Sequence, residues 1–128
     1  MSFRFIVVDD APFLQELIKN IAIEAGGECV GLVGKGTEVN KSVQYTLPDL
    51  VFLDMVLPQK NGVDVLKELN EFFPTVKVIV ISSLERDFIE KKLLGCSVDA
   101  IILKPFTKVE LKQAISRVMA DSKEVKFG

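Results

Sequence analysis

Histidine is missing altogether from this 128-residue chain. Its absence excludes a Ser-His-Asp triad, histidine-ligated zinc, and a phosphohistidine carried on this chain. Cysteine is scarce, with only Cys29 and Cys96 present. Both lie in apolar stretches and read as two buried free thiols, since a two-cysteine metal site needs further ligands. No excess of basic charge exists: 16 Lys and Arg stand against 18 Asp and Glu, for a net charge of −2. Without a basic patch or arginine-rich run, direct nucleic-acid binding by this segment is disfavoured. Long apolar runs are lacking too, and none approaches the ~20 residues of a membrane-spanning helix. The opening residues, Met1-Ser2-Phe3-Arg4, pass at once into a strand pattern and leave no room for a signal peptide.

What the chain does have is alternation. Its length fits one domain large enough to bury a core without disulfides or metal. Strand patterns at about 3–9, 28–33, 50–54, 76–82 and 99–103 alternate with helical patterns. The first helix, about 12–25, carries Leu14, Leu17, Ile18, Ile21, Ala22 and Ala25 on one face, and Gly26-Gly27 stops it. A weaker helix reaches Leu47, with Thr37 as its expected cap and Pro48 beyond it. A third spans about 63–73 and ends at Pro74, and a fourth spans about 86–95 and presents Ile89, Leu93 and Leu94. The fifth begins at Thr107-Lys108-Val109-Glu110, a capping-box spacing. Strict strand–helix alternation predicts a doubly wound parallel α/β sheet of five strands with helices on both faces.

A parallel sheet gathers the C-terminal ends of its strands on one edge, where open α/β sheets bind ligands. Here the first strand ends in Asp9-Asp10, the third in Asp54, the fourth in Ser82-Ser83 and the fifth in Lys104-Pro105. Three neighbouring carboxylates repel and raise one another's pKa, and a divalent cation resolves the conflict. An oxygen-only donor set points to Mg²⁺ or Mn²⁺ rather than zinc. With Lys104 and the Ser82 hydroxyl added, the edge suits a phosphoryl group, whose oxygens need counter-charge and hydrogen bonds. Asp54, alone in mid-sheet and facing the acidic pair, is the candidate nucleophile. Taken singly, each residue has a plainer role: helix cap for Asp9 or Asp10, turn residue for Ser82, solvated lysine for Lys104. Their joint placement at one edge carries the argument.

These motifs, Val7-Val8-Asp9-Asp10, Pro48 through Asp54, Pro58 through Gly62, Ile81-Ser82-Ser83 and Leu103-Lys104-Pro105-Phe106, resemble those of the response-regulator receiver domain of two-component signalling. The resemblance implies the flavodoxin-like strand order 2-1-3-4-5, which the chemotaxis response regulator itself exemplifies. It implies a receiver domain over 1–121 and a polar tail over 122–128. It implies phosphorylation of Asp54, with Mg²⁺ held by Asp10 and Asp54 directly, by Asp9 through water, and by the backbone carbonyl of Val56. Ser82 and Lys104 become the phosphoryl's partners, and Pro105 the proline whose preceding peptide bond is commonly cis. The donor becomes a phosphohistidine on a sensor kinase or phosphotransfer protein, and the product signals by contact with a downstream protein through helix four, strand five and helix five. The implied role is that of a cytoplasmic regulatory phosphoacceptor rather than an enzyme, one that assists its own phosphorylation and dephosphorylation.

Two departures stand out. Family members that switch by rotating a ring carry Tyr or Phe where Ile101 stands. Val56 and Leu84 flank the site where polar residues are frequent, which predicts a long-lived phosphoryl group because neither can orient water. Other phosphate-handling plans fit less well. The loop after the first strand lacks the Ser/Thr and Gly of a flavin phosphate cradle. Adjacent Asp9-Asp10 is not the Asp-x-Asp of a haloacid-dehalogenase-type phosphatase. Gly34-Lys35-Gly36-Thr37 lacks a P-loop ending. The remaining alternative is a degenerate receiver that works as an unphosphorylated docking or dimerisation module.

Overall fold

The structure, a computed structural model, describes residues 2–120; the tail expected over 122–128 lies outside them. Five strands, β1 (Phe3–Val8), β2 (Gly27–Val33), β3 (Leu50–Asp54), β4 (Lys77–Ser82) and β5 (Ala100–Leu103), form one parallel sheet in the order β2-β1-β3-β4-β5. The expected doubly wound, flavodoxin-like topology is therefore present. Between the strands run α1 (Pro12–Glu24), α2 (Val39–Thr46), α3 (Gly62–Phe72) and α4 (Arg86–Lys92), and α5 (Lys108–Ala120) follows β5. A short 3₁₀ turn, Gly36–Glu38, precedes α2.

Side-chain alternation along the strands builds two cores. Ile6, Val8, Val51, Leu53, Val78 and Val80 pack with α2, α3 and α4. Phe5, Val7, Leu50, Phe52, Ile79 and Ile81 pack with α1 and α5. Every residue of β3 is buried because helices cover both faces of this central strand, which explains its uninterrupted apolar run.

Local chemistry sets the helix ends. Pro12 occupies the first turn of α1, where a missing N–H costs nothing. Asn61 caps α3 through its side chain, accepting the Asp64 N–H at 3.0 Å. The capping box of α5 forms: Glu110 N–H donates to Thr107 Oγ1 at 3.0 Å, and Thr107 N–H donates to Glu110 Oε1 at 2.8 Å. Two sequence expectations about helix ends need correction. Thr37 does not cap α2, because it lies inside the 3₁₀ turn, one residue ahead of the cap position held by Glu38; its hydroxyl donates across the chain to Gln59 Oε1 at 3.1 Å. The fourth helix ends at Lys92, short of Gly95, and Leu94 is 79% exposed rather than inward. Leu93 closes that helix and reaches the core, while the chain turns through Gly95 at φ 86°.

The cysteines are free as expected, but the expectation that they are buried is corrected: each is only half-buried. Burial still pushes the Cys29 thiol up from its ordinary pKa. Gly62 sits where β3 hands over to α3, and a Cβ there would lie 2.6 Å from the Asp54 carbonyl oxygen. Gly62→Ala is therefore expected to cost about 2 kcal/mol in urea unfolding, the scale of an overpacked core; a loss within error of zero would contradict this contact.

Candidate functional site

The strand order reverses between β1 and β3, so the loops leaving these two neighbours diverge and open a crevice at their C-terminal ends. Val8 pairs in register with Leu53, so Asp9 and Asp54 are each the next residue along neighbouring strands. Since Val8 and Leu53 both face the α2–α4 core, Asp9 and Asp54 both turn toward the α1/α5 side. Asp9 is 1% exposed and Asp54 7% exposed, while Asp10 is exposed at the mouth. One ligand oxygen from each of the three lies within 4.8 Å of the others.

The carboxylates are held on both sides. Asp9 Oδ1 accepts the Ala11 N–H at 2.9 Å, which fixes the turn into α1. Gln15, one turn into α1, donates from Nε2 to the Asp9 carbonyl at 2.6 Å. Asp54 Oδ1 accepts the Val56 N–H at 3.1 Å. Lys104 Nζ reaches Asp9 Oδ2 at 3.0 Å and Asp54 Oδ2 at 3.4 Å. The lysine arrives from the end of β5, where the Lys104–Pro105 peptide bond is cis and Lys104 N–H donates to the Ser82 carbonyl at 2.7 Å. Ser82 is fully buried at the end of β4, and its Oγ accepts the Leu84 N–H at 3.1 Å. That bond occupies a lone pair and leaves the hydroxyl proton free to donate. Among the described residues no hydrogen bond joins the Ser82 side chain to Asp54.

Burial pushes the Asp54 carboxyl above its ordinary range, and the nearby Asp9 charge adds to this. The Val56 N–H and Lys104 pull the other way without cancelling it. Among the described residues, three carboxylates against one ammonium leave the crevice short of positive charge. The donor set is all oxygen, one member is open to water, and the three oxygens are near enough to share an ion. A hard divalent cation such as Mg²⁺ fits this set, since Mg²⁺ takes few carboxylates and keeps several waters.

All the expected strand-end residues thus reach one edge. Two of its contacts were not anticipated from sequence. Lys104 pairs first with Asp9, and Gln15 braces the Asp9 backbone. Gln15 carries no sequence signal beyond its place in the first turns of α1.

Comparison with known proteins supplies the family. The model for the response regulator receiver domain matches residues 5–116. This chain belongs to the response-regulator receiver family. Among curated relatives, the chemotaxis protein CheY of Thermotoga maritima is 30% identical over 118 residues, covering 92% of this chain and 98% of that protein. Protein CcdB of Bacillus subtilis is 33% identical, covering 91% and 97%. Among solved structures, a LuxR-family DNA-binding response regulator from Staphylococcus aureus superposes with a TM-score of 0.83 at 26% identity, covering 91% of this chain and 98% of that one. The REC domain of AraT from Geobacillus stearothermophilus shares the fold with a TM-score of 0.85 at 23% identity, covering 94% and 95%. The receiver assignment places the chain in two-component signalling.

The raised pKa of Asp54 has a consequence for stability. Its folded value lies above that of the unfolded chain, so its contribution is favourable at acid pH and is lost as pH rises through the folded value. Asp54→Asn is therefore expected to be more stable than the wild type at neutral pH without divalent cations. The difference shrinks as pH falls through the carboxylate range. Urea unfolding of both proteins across that range checks this, and a less stable variant at neutral pH would contradict it.

Proposed function

We propose that this receiver accepts a phosphoryl group on Asp54 from a phosphohistidine of a sensor kinase or phosphotransfer protein, with Mg²⁺ assisting. The observation that carries the reading is the buried Asp54 carboxylate beside Asp9 and Asp10, with Lys104 reaching both Asp9 and Asp54. One Asp54 oxygen attacks phosphorus while the phosphorus–nitrogen bond to the donor imidazole breaks. The departing nitrogen keeps the electron pair and takes up a proton. Bound Mg²⁺ supplies neutralisation of charge on the phosphoryl oxygens.

The residues of this chain do the rest. Asp10 and Asp54 would hold the ion directly, Asp9 through water, and Val56 through its backbone carbonyl. Lys104 already spans Asp9 and Asp54, so it moves little to meet a phosphoryl oxygen on Asp54. The free Ser82 hydroxyl proton suits a second oxygen. Val56, 56% exposed, and the half-buried Leu84 flank the site with hydrocarbon and offer no group to orient water. Slow loss of the acyl phosphate follows. A cytoplasmic location goes with this reading. No helix among the described residues is long and apolar enough to cross a membrane.

The phosphorylated form would signal by protein contact through α4, β5 and α5. Ile101 offers no ring to rotate; it is half-buried against the α2–α4 core, and Arg86 Nη2 donates to its carbonyl at 3.0 Å. Readout on this face then proceeds by repacking around Ile101 and its Arg86 contact.

Incubation with acetyl phosphate tests the reading. A phosphoryl mass gain is expected in the wild type with Mg²⁺, none without Mg²⁺ and none in Asp54→Asn. No gain under any condition would favour the unphosphorylated docking module. Once formed, the acyl phosphate is expected to last minutes or longer; a half-life of seconds would contradict the role given to Val56 and Leu84.

A further inference from the structure

The β3–α3 loop, residues 55–61, leaves Asp54 and carries Val56. It is tied at its inner end: Val56 N–H reaches Asp54, and Gly62 N–H donates back to the Met55 carbonyl at 3.0 Å. Its outer end, Gln59-Lys60, is fastened elsewhere. Gln59 holds a left-handed conformation, φ 70°, and accepts the Thr37 hydroxyl at 3.1 Å. Gly36 is buried against the Lys60 carbonyl, where a Cβ would overlap it. Lys60 Nζ pairs with Glu68 Oε1, one α3 face away from the site. The same oxygen accepts Asn40 Nδ2 of α2 at 2.6 Å. Glu68 thus joins the loop, α2 and α3 at one carboxylate.

The Asn40 amide shows which partner governs this junction. Its Nδ2 faces Glu68, while its buried Oδ1 has no hydrogen-bond partner among the described residues. The opposite rotamer would set Oδ1 against a carboxylate oxygen. Asn40 is oriented to serve Glu68, and its acceptor goes unused as a result.

We infer that Glu68 is a positioning residue for the phosphorylation site: through Lys60 and Asn40 it clamps the loop that presents the Val56 carbonyl to the metal. The inference rests on the phosphoacceptor reading for the metal, but the clamp itself is independent of it. Glu68 touches neither substrate nor ion and acts through the loop's conformation.

Three variants test this. Glu68→Gln keeps the shape and removes the charge. Gly36→Ala pushes on Lys60 from the opposite side. Lys60→Glu combined with Glu68→Lys restores an ion pair, and the spare Asn40 oxygen can then accept from the introduced ammonium after the amide turns over. The first readout is amide hydrogen exchange at residues 56–61 alongside global unfolding. The second is Mg²⁺ affinity by calorimetry.

Glu68→Gln and Gly36→Ala are expected to speed exchange within 56–61 selectively and to weaken Mg²⁺ binding about tenfold, the low end for residues behind a metal ligand. The charge swap is expected to recover both. Unchanged loop exchange in Glu68→Gln, exchange that rises evenly over the whole fold, or a swap that recovers nothing would each overturn the inference. A wild type that binds no Mg²⁺ would overturn the phosphoacceptor reading and the metal arm with it, whereas the exchange arm would still decide whether Glu68 holds the loop.

Discussion

Among the described residues, three carboxylates share a crevice with a single ammonium. Asp9 and Asp54 are buried and Lys104 lies between them, with Asp10 at the mouth. Taking acids out of water is costly unless opposite charge or hydrogen bonds compensate, and one lysine serves two buried acids with a third close by at the mouth. Burial is the main cause of the raised pKa of Asp54, and the Asp9 charge adds to it. A site in this condition gains from any cation that enters, and gains further when an anion brought by the cation can use Lys104 and Ser82. Demand for metal and demand for a phosphoryl group arise from the same arrangement.

The fold imposes the arrangement through register. Val8 and Leu53 are partners across β1 and β3, so the acids that follow them emerge level and on the same side. Ile81 and Ser82 are fixed by pairing with Asp54 and Leu103, which brings the hydroxyl and the lysine to the same edge. Hydrophobic burial of β3 on both faces makes that register stiff, since a slip of one residue would drive Asp54 into a core and expose a leucine. The loop after Asp54 is buried at Met55 and partly at Leu57, but not at its outer end. That end depends on a hydrogen bond to the 3₁₀ turn and an ion pair to α3, which is why the Lys60–Glu68–Asn40 junction matters to the site.

Much of this was legible in the chain. The apolar run Leu50 to Leu53 announces a strand covered on both sides, and Asp54 marks its end. The Thr107–Glu110 spacing announces a capping box that forms as expected. Features that sequence did not reveal are of two kinds: where helices start and stop, and side-chain contacts between distant segments. Thr37 has the chemistry of a cap, yet the chain forms a 3₁₀ turn there, α2 starts from Glu38, and the Thr37 hydroxyl donates to a partner 22 residues away. Leu94 continues the helical spacing of Ile89 and Leu93, yet α4 ends at Lys92, ahead of Gly95, and leaves it in solvent. Gln15, Asn40 and Glu68 look like surface polar residues, and only the folded geometry shows what each one holds.

Binding of beryllofluoride, which mimics a phosphoryl group on a carboxylate, tests the central claim most directly. Fluorine NMR is expected to show protein-bound fluoride resonances with the wild type when Mg²⁺ is present. They should vanish on Mg²⁺ removal and be absent in Asp54→Asn. Bound resonances that persist without Mg²⁺ or without Asp54, or none in the wild type, would contradict an account in which the acids and Lys104 are built to receive a metal-assisted phosphoryl group.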